Sequence, residues 1–195
     1  MYSQNLSQVE YLVVDANPPI ESLVRAAQNA RWASTKICFE PTSVPKAAKV
    51  SKSDHFMSAL SYAFPNLDEL FAMASAGGGG GALKFINDGN DDSIKAAARV
   101  VLKRCNPTES HLVITMGAKG VLLASRYELK AIKFQFFEAS SIEVGNCTGA
   151  GDTLAGTFVH SLLNGCSKED AVKLGMEKAL LSLKCVDKAI SPSII

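Results

Sequence analysis

The chain has 195 residues, 47% of them hydrophobic and 20% charged, with a formal net charge of +1 and a pI near 7.6. That length supports a single domain with a sizeable core, and the near-neutral balance argues against a nucleic-acid or anionic-membrane partner. The longest apolar runs are too short to span a bilayer, and the polar start, Met1–Glu10, lacks the apolar centre of a signal peptide.

In chain order, strand and helix patterns alternate. Tyr11–Asp15 is a short apolar run ending in an acid. Ile20–Ala30 has helical spacing, with Pro18 and Pro19 near its start. Lys36–Glu40 reads as a second strand, stopped by Pro41. A helix is expected over Ser53–Leu60, a short strand at Tyr62–Phe64, and a helix over Asn66–Ala74 after Pro65. The run Gly77–Gly81 reads as a surface loop, because Ala82-Leu83-Lys84 follows it rather than the Gly-Lys-Ser/Thr of a Walker loop. Ser93–Arg104 is an amphipathic helix pattern, and Leu112–Met116 reads as a buried strand. Gly120–Ala124 and Ala131–Phe137 suggest a pair of strands. Two helices close the chain, Ala150–Leu163 and Lys168–Lys184, separated by Gly165 as a C-cap and Ser167 as an N-cap. Such alternation, with near-continuous apolar strands, predicts an α/β fold with a mostly parallel sheet covered on both faces.

The five cysteines, Cys38, Cys105, Cys147, Cys166 and Cys185, form no C-x-x-C pair. They read as free thiols in a reducing compartment, and the cytoplasm is the expected location. His55, His111 and His160 are scattered without metal-ligand spacing and read as surface or core residues.

The chemistry concentrates at Asn146-Cys147-Thr148-Gly149-Ala150-Gly151-Asp152-Thr153. Small residues let an anion approach the backbone, and the helix that follows offers free N–H groups and the positive end of its dipole. Asp152 adds a potential base beside that anion, the minimum for moving a phosphoryl group onto a hydroxyl. On spacing alone, the alternative is that Asp152 merely caps the helix, with the glycines making a tight turn.

This stretch closely resembles the C-terminal signature of the ribokinase-like (PfkB) family of sugar and nucleoside kinases. Two further elements resemble that family in the same order: Pro65-Asn66-Leu67-Asp68-Glu69-Leu70 resembles its N-x-x-E element, and Ile114–Val121 its strand and glycine turn at the nucleotide site. The resemblance covers essentially the whole chain. It implies a ribokinase-like three-layer α/β/α fold, a single kinase domain over residues 1–195, without the family's N-terminal sugar-binding portion and β-sheet lid. It implies Asp152 as general base and the N–H groups of Gly149, Ala150 and Gly151 as an anion hole. Asn66 would lie at ATP, Glu69 would hold Mg²⁺ through water, and Thr115, Gly117 and Gly120 would border the nucleotide. The carbonyls of Asn146 and Thr148 would lie near a monovalent cation, K⁺. Taken alone, Asn66 and Glu69 read as a helix cap with an exposed acid on the next turn. Lys119 reads as a solvated charge, and Lys178, Leu180, Val186 and Ala189 fall near the adenine position.

Val13-Val14-Asp15-Ala16-Asn17 and Phe39–Ala47 resemble the pseudouridine kinase branch of the family, which phosphorylates a C-nucleoside at its 5′-hydroxyl. Asp15 and Asn17 are the candidate substrate contacts, although Asp15 could equally close a strand; Glu40 reads as structural or as lying near the metal. The expected ligands are therefore ATP, Mg²⁺, K⁺ and a nucleoside or sugar, with no nucleic acid and no membrane. A second copy, or the N-terminal portion of the same kinase, would be the protein partner. Another PfkB sugar kinase, acting on ribose or adenosine, and an inactive nucleotide-binding module remain open at this stage.

Overall fold

In a computed structural model, residues 8–77, 89–128, 131–140 and 148–184 are described. Among them are six strands and seven helices. In chain order these are β1 (Tyr11–Asp15), α1 (Ile20–Trp32), β2 (Lys36–Glu40), α2 (Val44–Val50), α3 (Asp54–Met57), β3 (Leu60–Ala63), α4 (Leu67–Ala76), α5 (Asp91–Arg104), β4 (Glu109–Thr115), β5 (Gly120–Tyr127), β6 (Lys133–Glu138), α6 (Ala150–Leu163) and α7 (Lys168–Leu183).

The strands form one sheet in the order β1-β2-β3-β4-β5-β6. β1 through β4 run parallel, with Asp15 opposite Glu40, Phe39 opposite Ala63, and Tyr62 opposite His111. β4 and β5 are joined by a 3-10 turn at Gly117–Lys119. So short a link can only make a hairpin, because a parallel return needs a crossover. The sheet is therefore mixed.

The chain divides into two compact units, Met1–Ile114 with Ala124–Gln135, and Thr115–Leu123 with Phe136–Ile195. In the first, α1 buries Leu23, Ala27 and Ala30, spaced along one face. α5 does the same with Ile94, Ala97, Ala98, Val101 and Leu102. Phe39 and Phe56 meet edge-on, ring centroids 5.2 Å apart, within this core. Arg126 Nη1 donates to Leu102 O at 2.9 Å, satisfying a carbonyl in the last turn of α5. His111 is buried: Nδ1 pairs with Ser125 Oγ and Nε2 with Glu109 Oε1, each at 2.9 Å, and the ring stacks on Tyr62. Its role is that of a satisfied core histidine.

In the second unit, α6 and α7 form an antiparallel pair. Gly165 has φ +78°, and the bonds from Gly165 N to Leu162 O and from Cys166 N to Ser161 O close a Schellman motif at the end of α6. Ser167 Oγ accepts Asp170 N and caps α7. Gly175 permits the close approach of the helices, since a Cβ there would lie 3.0 Å from Leu154 O.

The structure differs from the expected helix over Ser53–Leu60. The helix is the single turn of α3, Leu60 opens β3, and a separate helix, α2, precedes it. Pro45 sits in the first turn of α2, where its missing N–H and fixed φ do no harm. Cys38, Cys105 and Cys166 are free thiols. Burial pushes the thiols of Cys38 and Cys105 up to about 12, against the opposing Lys36 and Arg104 charges, so both are inert. Among the described residues, no helix is long and apolar enough to cross a membrane.

Candidate functional site

Parallel β1, β2 and β3 end together, so Asp15, Glu40 and the segment after Ala63 share one sheet edge. Ligands bind at that carboxyl edge in open α/β sheets.

After β3, Asn66 starts α4. Its Oδ1 accepts Glu69 N at 2.9 Å, and Glu69 Oε2 accepts Asn66 N at 3.0 Å, a reciprocal capping box. Glu69 is only 4% exposed. The reading of an exposed acid is thus replaced by a buried one. Burial raises the Glu69 carboxyl above the usual glutamate range; the Asn66 N–H opposes that rise and Asp68 adds to it.

At the end of β1, Asp15 Oδ1 accepts Asn17 N at 2.9 Å and Oδ2 accepts Asn17 Nδ2 at 2.7 Å. Ala16 N donates to Thr42 Oγ1 at 3.3 Å, and Lys46 Nζ donates to Asn17 Oδ1. Thr42 and Lys46 had no role in the sequence reading. The available signal was a hydroxyl and a cation just past the strand that ends in Glu40.

The second unit holds the glycine-rich helix start. Gly149 is the N-cap of α6, with φ +82° and no side-chain cap. Thr153 N bonds Gly149 O at 2.8 Å, so the N–H groups of Ala150, Gly151 and Asp152 precede the first rung of the helix and have no partner within it. Asp152 is exposed in that turn. A Cβ at Gly151 would meet no atom within 4 Å, so the approach is open. Asn146 and Cys147 lie outside the described residues, as do Val186 and Ala189; Thr148 is exposed directly before Gly149.

Thr115 ends β4 and is half-buried; Gly117 is exposed with φ +58° and open space around it. Gly120 is different. Its φ is +117°, and a Cβ would lie 2.0 Å from Phe137 O. The fold itself therefore demands glycine at 120, with no need of a nucleotide. Lys119 is exposed, and Lys178 and Leu180 are half-buried on α7.

The donor set suits Mg²⁺ held mainly by water and phosphate. Among the described residues, no three or more His, Cys, Asp or Glu side chains cluster to form a cage. Glu69 Oε2 is engaged in the capping box and Oε1 is the oxygen left for a metal-bound water, an arrangement usual for this ion. Asn66 Oδ1 is also engaged, so its side-chain amide would serve ATP as a donor.

The family model described as pfkB family carbohydrate kinase matches residues 2–193. A pseudouridine kinase of Arabidopsis thaliana is 25% identical, the match covering 95% of this chain and 60% of that protein. The ribokinase of Thermotoga maritima is 22% identical with a TM-score of 0.76, covering 100% of this chain and 56% of that one. An Arabidopsis thaliana ribokinase solved with ribose and ATP is 16% identical with a TM-score of 0.70, covering 94% and 52%. The fold is thus ribokinase-like, and the chain spans about half the length of the relatives it matches.

Proposed function

The chain belongs to the pfkB family of carbohydrate kinases, and from that premise we propose that it serves ATP-dependent phosphoryl transfer to the primary 5′-hydroxyl of a nucleoside, pseudouridine. The observation that carries the reading is the start of α6. Its N-cap residue is a glycine, which has no side chain to cap the first turn, and the acid of that turn, Asp152, is exposed. Phosphoryl transfer asks a protein for positioning and charge stabilisation more than for covalent chemistry.

In this reading the N–H groups of the Gly149–Gly151 turn hold the transferring phosphoryl group. Asp152 takes the proton from the 5′-hydroxyl as its oxygen forms a bond to the γ-phosphorus and the bond to ADP breaks. Mg²⁺ would neutralise phosphate charge, with Glu69 orienting its waters and the Asn66 amide donating to ATP. Thr115, Gly117 and Gly120 would border the nucleotide, and K⁺ would sit near the carbonyls of Asn146 and Thr148. Asp15 and Asn17 would face the sugar. The match to a pseudouridine kinase supports the substrate class, and a cytoplasmic location suits the free buried thiols.

The test is Asp152→Asn. Turnover across a panel of nucleosides and sugars is expected to fall about 10²–10⁴-fold, the range typical of a lost general base. Calorimetry is expected to show ATP binding largely intact. Near-normal kinase activity in the variant would overturn the role. A chain that binds Mg-ATP yet phosphorylates nothing supports the second reading, a nucleotide-binding module.

A further inference from the structure

Among the described residues β1 is the last strand on its side of the sheet, and its outer rim carries none of the usual defences. Proteins ordinarily blunt such a rim with a proline, a lysine, a bulge or an inward charge. Tyr11–Asp15 contains no proline or lysine, and it pairs with β2 in unbroken register. Val13 is 57% exposed although Cys38, its neighbour on β2, is fully buried. The cover over that face therefore stops between the two strands.

The direction of the rim's hydrogen bonds follows from one contact. Lys36 N donates to Glu10 O, so Glu10, and with it Leu12 and Val14, turn their backbone groups toward β2. Val13 and Asp15 turn theirs outward. Tyr11, Val13 and Asp15 also share one face of the strand, with Lys36 beside Tyr11 on β2. The Lys36 ammonium lies over the Tyr11 ring, 5.6 Å from its centroid, and so leans toward the rim.

This rim is complementary to itself. When two copies of β1 meet antiparallel about Val13, the whole of each strand overlaps the other. The two Val13 residues exchange their N–H···O=C bonds at the twofold axis, and their exposed side chains cover one another. Tyr11 then lies opposite the partner's Asp15. Lys36 stands about two strand spacings, roughly 10 Å, from that aspartate, a gap that the two side chains together span. Ammonium and carboxylate thus meet on each side of the axis. Sliding the strands toward their carboxyl ends would instead bring the two Asp15 carboxylates together, so charge also selects the register.

We propose that the β1 rim is a homodimer interface at which two copies of this chain join their sheets antiparallel, with Val13 at the axis and Lys36 of each copy paired to Asp15 of the other. The pairing brings the partner's Tyr11 and Lys36 beside Asp15, which is exposed at the carboxyl edge of the sheet. Each copy thereby adds a wall to the other's substrate edge. That last consequence rests on the sugar-facing role given to Asp15; the interface itself does not.

The test is sedimentation of the 195-residue chain across a concentration series, with amide exchange followed by NMR on the same samples. The mass is expected to rise from one copy toward two and to stop there. Exchange at Val13 and Asp15 is expected to slow as the dimer fills, while Leu12 and Val14, which face β2, are slow at every concentration. Val13→Lys opposes two ammoniums at an already exposed position and is expected to weaken association about tenfold. Val13→Pro removes one outward N–H from each copy, which an edge strand tolerates, and predicts roughly 30-fold weakening. Lys36→Glu or Asp15→Lys alone is expected to weaken association about threefold to tenfold, and the double exchange to recover it. A mass of one copy at every concentration overturns the proposal and leaves the rim to a strand of another sequence. A dimer untouched by Val13→Lys, or a double exchange without recovery, overturns it as well. None of these measurements uses ATP or turnover, so failure here is distinguishable from failure of the kinase reading.

Discussion

Glu69 is a carboxylate kept where a neutral group would be more comfortable. It is buried, and its pKa is raised chiefly by that burial. A folded-state pKa above the unfolded one means that the folded protein binds this proton more tightly. The linked stabilisation is then fully present below the ordinary glutamate range and is lost as pH rises through the folded value. Wherever Glu69 is ionised, its burial works against stability, partly offset by the Asn66 N–H. Glutamine keeps the capping geometry without the charge. Glu69→Gln is expected to melt at or above the original protein at pH 7, with the advantage shrinking as pH falls. If Glu69 orients metal-bound waters, Mg²⁺-dependent ATP affinity should fall about 10–100-fold in the same variant. Melting curves across pH, with calorimetry in the presence and absence of Mg²⁺, check both halves. A variant destabilised at pH 7 whose Mg-ATP affinity is unchanged would make Glu69 a structural cap alone. Gly120 carries the opposite lesson. Its position in the signature points to the nucleotide, and the Phe137 carbonyl, 2.0 Å from its would-be Cβ, by itself already requires glycine there. A glycine's cause lies in what passes beside it, and that neighbour is seventeen residues further along the chain.

Helices α6 and α7 form the element that carries Asp152, and their pairing depends on small residues. Gly175 sits so close to α6 that a Cβ would reach 3.0 Å from Leu154 O and 3.3 Å from Leu154 Cγ. A β-branched side chain there must push the helices apart. Gly175→Val is expected to destabilise the protein by about 1–3 kcal/mol, the usual range for overpacking, even though the substitution improves helix propensity. Denaturant unfolding would measure it; a neutral or stabilising outcome would mean that the helix pair can separate freely. These two helices were legible in the sequence because local chemistry marks their ends: Gly165 takes the left-handed turn and Ser167 the cap. The segment from Val44 to Leu60 was not. Pro45 reads as a breaker until it is known to occupy a helix's first turn. Leu60–Ala63 is too short an apolar run for periodicity to separate strand from helix. The capping box was written plainly as Asn66 and Glu69, but its burial was not, because burial comes from the elements packed around it. The bond from Lys46 to Asn17 joins residues 29 apart, and no local pattern encodes it.

At the scale of the molecule, β1 is the strand whose burial least matches its composition. Tyr-Leu-Val-Val is the pattern of a parallel strand covered on both faces, yet none of its residues is fully buried and Val13 is 57% exposed. β1 also forms one edge of the sheet, beside the substrate candidates Asp15 and Asn17. The chain spans about half the length of its relatives, and among the described residues the substrate candidates Asp15 and Asn17 are exposed to water. Water exclusion strengthens the electrostatic holding of a transferring phosphoryl group, and near-attack positioning supplies much of the remaining acceleration. The capping box at Asn66 and Glu69 and the glycine N-cap of α6 are each built from local residues. The expected result is that the purified 195-residue chain binds Mg-ATP in calorimetry and phosphorylates pseudouridine only weakly, as measured by coupled ADP release. Robust, saturable phosphorylation by that chain alone would contradict this.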